Sequence, residues 1–153
     1  METALAGNVC ILGVGNRMRG DDGAGSWVAE GLAGRVSVPV FDGGMAPENY
    51  LEKIAALRPD TVLIVDAVDF GGSPGELRLF RAEDVGPGGL STHALSLSLA
   101  AEYLRTRGPA TVRLLAIQPA DTGLGRPPSE AVCRAVERAV RMLKNILPLS
   151  AGS

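Results

Sequence analysis

Thr61-Val62-Leu63-Ile64-Val65-Asp66 is the stretch on which the reading of the fold turns. Its residues favour extended backbone, and an apolar run without polar alternation suits a strand covered on both faces, the condition of a central strand in a parallel sheet. Outward from it, apolar runs bounded by glycine and proline alternate with longer segments of helical period, the signature of an α/β domain. Further strands are expected over 9–14, 36–41, 76–81 and 111–117. Helices are expected over 24–33, 47–57, roughly 93–105 and 129–147. The last carries Val132, Val136, Ala139, Val140, Leu143 and Leu147 at helical spacing. In the third, Leu95, Leu97 and Leu99 alternate as in a strand, but Ala100-Ala101-Glu102-Tyr103-Leu104 continues with helix formers to helix length. The segment 76–81 follows the central strand after only Phe70-Gly71-Gly72-Ser73-Pro74-Gly75, too short for a crossover helix, so it should run antiparallel at or near an edge. The fold class is therefore α/β, with a mostly parallel five-stranded sheet.

Composition bounds the rest. At 153 residues the chain has the size of one domain, with an ordered core expected over about 7–148 and a frayed tail. Hydrophobic residues make up 46% and charged residues 21%, a globular balance. The apolar runs fall far short of the roughly 20 residues that cross a bilayer. Residues 1–7 contain Glu2 and no basic segment, unlike a secretory leader, so the expected compartment is cytoplasmic. A net charge of −2 with scattered basic residues disfavours a nucleic-acid partner. Cys10 and Cys133 form no C-x-x-C pair and are read as small buried hydrophobes in a reducing compartment.

The loop Gly13-Val14-Gly15-Asn16-Arg17-Met18-Arg19-Gly20-Asp21-Asp22-Gly23-Ala24-Gly25 joins a strand to a helix. A dinucleotide fingerprint from Gly13 requires glycine where Met18 stands, and a P-loop from Gly15 requires Lys and Ser or Thr where Asp21 and Asp22 stand. Two carboxylates repel a polyphosphate, and a loop at the carboxyl edge of the sheet is where such domains build sites. The loop suits a cation. Two adjacent aspartates suggest a division of labour, one capping the helix or bracing the loop and the other projecting into a site. Asp22 is assigned the projecting role; Asp21, Asn16 and Gly44 are candidates for contact with substrate. Arg17 and Arg19 flank the loop as solvated surface groups or partner contacts.

Asp66 closes the central strand and should lie close to the loop of Asp22. Asp69, followed by Gly71 and Gly72, better fits a turn former. His93, the only histidine, follows Ser91 and Thr92, either of which could cap a helix. Asp22, Asp66 and His93 together make an O, O, N set compatible with a divalent transition metal. One histidine excludes an H-E-x-x-H zinc protease, and no G-x-S-x-G elbow is present; a triad would need Ser26 or another distant hydroxyl.

The ordered series Gly13-Val14-Gly15-Asn16, Gly20-Asp21-Asp22-Gly23-Ala24-Gly25, Asp42-Gly43-Gly44 with Ala46-Pro47-Glu48-Asn49, Val65-Asp66-Ala67-Val68-Asp69, Pro74-Gly75-Glu76, Ser91-Thr92-His93 and Ile117-Gln118-Pro119 resembles the hydrogenase maturation endopeptidases over nearly the whole chain. It is most similar to the branch serving formate-hydrogenlyase-type hydrogenases. The resemblance implies a three-layer α-β-α fold and removal of a C-terminal extension from the nickel-iron hydrogenase large-subunit precursor after nickel insertion. It also implies nickel contact through Asp22, Asp66 and His93, but leaves the proteolytic chemistry open; Asp22 and Asp66 are the candidate catalytic carboxylates, either of which could activate water. The nickel would belong to the substrate, with cadmium or zinc able to substitute in crystals, and no permanent cofactor is expected. The alternatives are a non-catalytic metal-dependent binding module or chaperone and, far behind, a nucleotide-binding protein.

Overall fold

The computed structural model describes residues 5–84 and 97–150, apart from the side chain of Leu97. Five strands form one sheet: β1 (Val9–Val14), β2 (Val40–Gly44), β3 (Thr61–Ala67), β4 (Leu77–Arg81) and β5 (Thr111–Ile117). Their order is β2-β1-β3-β5-β4, parallel throughout except for β4, which pairs antiparallel with β5 at the edge. Every residue of β1 and β3 is buried. The uninterrupted apolar run of the central strand thus meets cover on both faces.

The helices α1 (Ala24–Leu32) and α4 (Glu130–Ile146) cover one face, packing Val28, Leu32, Ala135, Ala139 and Leu143 on Ile11, Leu63 and Val65. On the other face α2 (Leu51–Ala56) and α3 (Leu97–Arg107) bring Ile54, Ala101 and Leu104 to Leu12, Ile64 and Leu114. The result is the three-layer sandwich. Alternate residues of each strand divide between these two cores, as the two-residue period of a pleated strand requires. Among the described residues no helix is long and apolar enough to cross a membrane.

Three boundaries differ from those read in the sequence. The second strand lies later than 36–41. Pro39 lacks an N–H, and Val36 forms an isolated antiparallel bridge with Leu149; regular pairing starts at Val40 and runs on to Gly44 beside Val14. The expected helix over 47–57 opens as a 3-10 turn, Pro47–Tyr50, before becoming α2. The start proposed for the third helix near His93 lies outside the described residues; within them it runs to Arg107. Cys133 also departs from expectation. It is exposed, because it lies off the α4 stripe formed by Val132, Ala135, Ala139 and Leu143, whereas Cys10 is buried. Burial pushes the Cys10 thiol up to about 11, so it stays protonated and inert.

The chain enters the sheet at β1, steps to β2 on one side, then returns past β1 to β3 on the other. The connections after β1 and β3 therefore diverge to opposite sides, leaving a crevice at their carboxyl ends. That crevice receives both the 15–23 loop and Asp66.

Candidate active site

Asp66 is the sixth residue of β3, opposite Ala116 of β5 and beyond the Gly13–Val65 pairing with β1. Strand alternation puts it on the same face as Val62 and Ile64, toward the α2 and α3 layer. The side of the sheet that is apolar for most of its length thus ends in a carboxyl group. Asp22 arrives from a 3-10 turn, Gly20–Gly23, that leads into α1. Its N–H donates to the Arg19 carbonyl at 3.0 Å, and its carbonyl accepts from the Asn16 N–H at 3.0 Å. These bonds fold the loop back on itself and close it around Asn16.

The start of α1 crosses directly over the strand ends. A Cβ at Gly25 would collide with the Val65 and Val14 carbonyl oxygens, so only glycine allows this approach. Asp22 and Asp66 consequently line one cavity of about 330 Å³, together with Val14, Gly15, Asn16, Arg19, Met45 and Thr122. Burial is the larger cause, and the charge of Asp22 the next, that holds the Asp66 carboxyl well above the usual carboxylate range; a hydrogen bond from the Ala67 backbone opposes them. Asp66 therefore holds its proton more readily than a carboxyl group in water does.

Asp21 points the other way. Its fully buried carboxylate accepts from the N–H groups of Ala120 (2.8 Å), Asp121 (2.9 Å) and Ser129 (2.6 Å) and from the Ser129 hydroxyl (2.9 Å). Its own N–H donates to the Asp121 carbonyl at 2.8 Å. The expectation that Asp21 contacts substrate is corrected: a saturated, inaccessible carboxylate is a brace that ties the Asp22 loop to the 119–129 connection. The cap of α4 is Ser129, whose hydroxyl accepts from Val132 N–H at 3.3 Å.

Asn16 does line the cavity. Its side-chain oxygen accepts from the Met18 N–H at 2.9 Å, which leaves the amide N–H groups as its remaining donors. Gly44 stands at the adjoining end of β2, its N–H donated to Asp42 at 3.2 Å and its carbonyl accepting from Gly15 N–H at 3.0 Å. Its neighbour Met45, not Gly44, is the group that lines the cavity. Ser26 is fully buried and could not serve as a surface nucleophile. Asp69 is a turn former, accepting from Gly71 N–H at 3.0 Å. His93 lies outside the described residues, and among those described no three histidine, cysteine or carboxylate side chains come together as a metal set.

With this geometry in view, similarity to known proteins decides the family. Residues 28–146 match the family model for HycI, hydrogenase maturation protease. The hydrogenase 3 maturation protease of Escherichia coli is 39% identical over 137 residues, covering 88% of this chain and 87% of that protein. The chain belongs to the hydrogenase maturation proteases. The crystal structure of a NiFe hydrogenase maturation protease HycI from Thermococcus kodakarensis superposes with a TM-score of 0.87 at 38% identity, over 95% of this chain and 97% of that one. The solution structure of an endopeptidase HycI from Escherichia coli gives 0.80 at 34% identity, over 95% and 99%. This hydrogenase maturation protease is thus a peptidase of the HycI branch, in agreement with the ordered motifs of the sequence.

Two residues lining the cavity of this protease, Met45 and Thr122, escaped the sequence. Gln118, which entered there only within the Ile117-Gln118-Pro119 motif and without a role, shapes the surroundings of the site. The Gln118 side-chain oxygen accepts from Phe70 N–H (2.9 Å) and Gly72 N–H (3.0 Å), while its amide donates to Asp69 (3.0 Å). Thus the half-turn following Asp66 is clamped from β5. The available signal was positional: Gln118 and Thr122 follow the carboxyl end of a parallel strand.

Proposed function

We propose that this protease removes the C-terminal extension of a nickel-iron hydrogenase large-subunit precursor after nickel insertion, using Asp22 and Asp66 to read the nickel that the precursor carries. The observation that carries this reading is the pairing of a partly exposed and a deeply buried carboxylate in one cavity at the sheet's switch point, with the buried acid biased toward its protonated form. The nickel is substrate, held by the precursor. Asp22 and Asp66 would supply oxygen ligands, and His93 a nitrogen, leaving the remaining positions to the precursor's own donors. Cadmium or zinc would occupy the same donor set.

Docking of a cation reverses the electrostatics. Positive charge at the cavity favours the ionised form of Asp66, which gives up its proton as the metal arrives. Water then attacks the scissile carbonyl carbon, its proton passing to a carboxylate. The peptide C–N bond breaks as the departing nitrogen takes up a proton. Asn16, with its oxygen already engaged by Met18, offers N–H groups to the carbonyl oxygen on which negative charge develops. A precursor lacking nickel would leave Asp66 holding its proton, so metal insertion acts as the checkpoint for cleavage.

The test is processing of nickel-loaded precursor by Asp66→Asn and Asp22→Asn. Each retains the shape of the side chain, and each is expected to fold yet lose at least about a hundredfold in rate, the usual effect of removing a general base. Wild-type processing by either variant would show that the site is elsewhere.

A further inference from the structure

Among the described residues six large apolar side chains are more than half exposed: Met18, Met45, Leu57, Leu99, Leu124 and Leu149. Scattered singly, such residues need no explanation. Three of them are not scattered. Met45, 67% exposed, lines the cavity itself. Met18, 70% exposed, sits between the cavity residues Asn16 and Arg19. Leu124, 69% exposed, lies two residues beyond the cavity residue Thr122, and the next N–H, that of Gly125, donates to the Met18 carbonyl at 2.8 Å. The buried Asp21 carboxylate locks the two loops together from beneath. Hydrogen-bonded loops thus carry three exposed apolar side chains, one lining the acidic cavity and two within two residues along the chain of those that do.

We propose that Met18, Met45 and Leu124 form a docking rim for the precursor's polypeptide beside the scissile bond, binding its apolar side chains while the cavity takes the metal. The inference rests on the proposed function. A cavity of about 330 Å³ admits one segment of chain and not a folded protein, so an extended stretch must cross the rim to reach it. Methionine is unbranched and polarizable, suited to a surface that accommodates variable apolar side chains. A second copy of this chain is the poorer occupant. Three side chains expose on the order of 400 Å², half of the roughly 800 Å² per partner that a stable association requires.

The experiment compares the triple variant Met18→Ser/Met45→Ser/Leu124→Ser with wild type and with a control carrying Leu57→Ser/Leu149→Ser. Steady-state cleavage of nickel-loaded precursor is followed by intact mass, and precursor affinity is measured separately in an Asp66→Asn background, where binding is read without turnover. The rim triple is expected to raise KM, and Kd in the Asp66→Asn background, by at least roughly tenfold, with a much smaller change in kcat, and the control to match wild type. Unchanged KM and Kd in the triple would overturn the rim, as would a fall in kcat alone. So would a wild-type dimer that the triple converts to monomer without altering KM, since the patch would then serve self-association. If Asp66→Asn cleaves normally, the site assignment fails, an outcome distinct from failure of the rim because the affinity comparison stands by itself.

Discussion

At the scale of single residues, two adjacent aspartates have opposite tasks. Asp21 satisfies buried backbone donors, and Asp22 faces the cavity. Replacing Asp21 by Ala would leave the N–H groups of Ala120, Asp121 and Ser129 without their acceptor. Unfolding in urea should show a loss of about 3–5 kcal/mol, because each buried donor left unpaired costs about 1–3 kcal/mol and partial rearrangement recovers some. A loss below about 1 kcal/mol would mean that the brace is dispensable. Asp66 makes the opposite prediction. Its carboxyl is held above the usual value of 3.8, so the folded metal-free protein keeps a proton that the unfolded chain has released. Stability must then fall as pH rises through the window between 3.8 and the raised value, and the penalty is absent below that window. Asp66→Asn has no such proton. It should melt higher than wild type at neutral pH, by roughly 2–4 °C for each kcal/mol recovered, with the difference closing in acid. A pH-independent difference would contradict the buried, proton-holding state. Sequence pointed to Asp66, which ends a central strand, and Asp22, which sits in a loop unsuited to phosphate, and the structure places both on one cavity. Sequence did not separate Asp21 from a substrate contact, because the donors that saturate it come from residues about a hundred positions away.

At the scale of elements, the site depends on how closely α1 approaches the ends of β1 and β3. Gly25 sets that distance, with the carbonyl oxygens of Val14 and Val65 occupying the place of its missing Cβ. Since the colliding atoms are backbone, they cannot rotate away. Gly25→Ala should destabilise by about 3 kcal/mol or more. It should also displace Asp22 from Asp66, so that processing falls even where the variant is folded, as judged by circular dichroism. A fully stable, fully active Gly25→Ala would refute the close crossing. Element types were legible wherever period and length agreed, as in β3 and α4. Boundaries were less so: β2 begins four residues later than the apolar run 36–41, because Pro39 and the Val36–Leu149 bridge take the first part of that run out of the sheet. Cys133 shows the same limit. An apolar residue one position away from the buried stripe of a helix faces water, and composition alone does not show which side it takes.

At the scale of the whole molecule, the order β2-β1-β3-β5-β4 opens a crevice between β1 and β3 and leads both acidic segments to it. Local pattern revealed the parallel core and the antiparallel edge strand. The meeting of residues 14–16, 19, 22, 45, 66 and 122 in one cavity is a property of the crossings, visible only once strand order is known. The metal-reading role assigned to that cavity is tested most directly by incubating the protease with nickel-loaded and nickel-free precursor and measuring the intact mass of each with time. Loss of the C-terminal extension from the loaded precursor alone is the predicted result. Equal cleavage of both would contradict it.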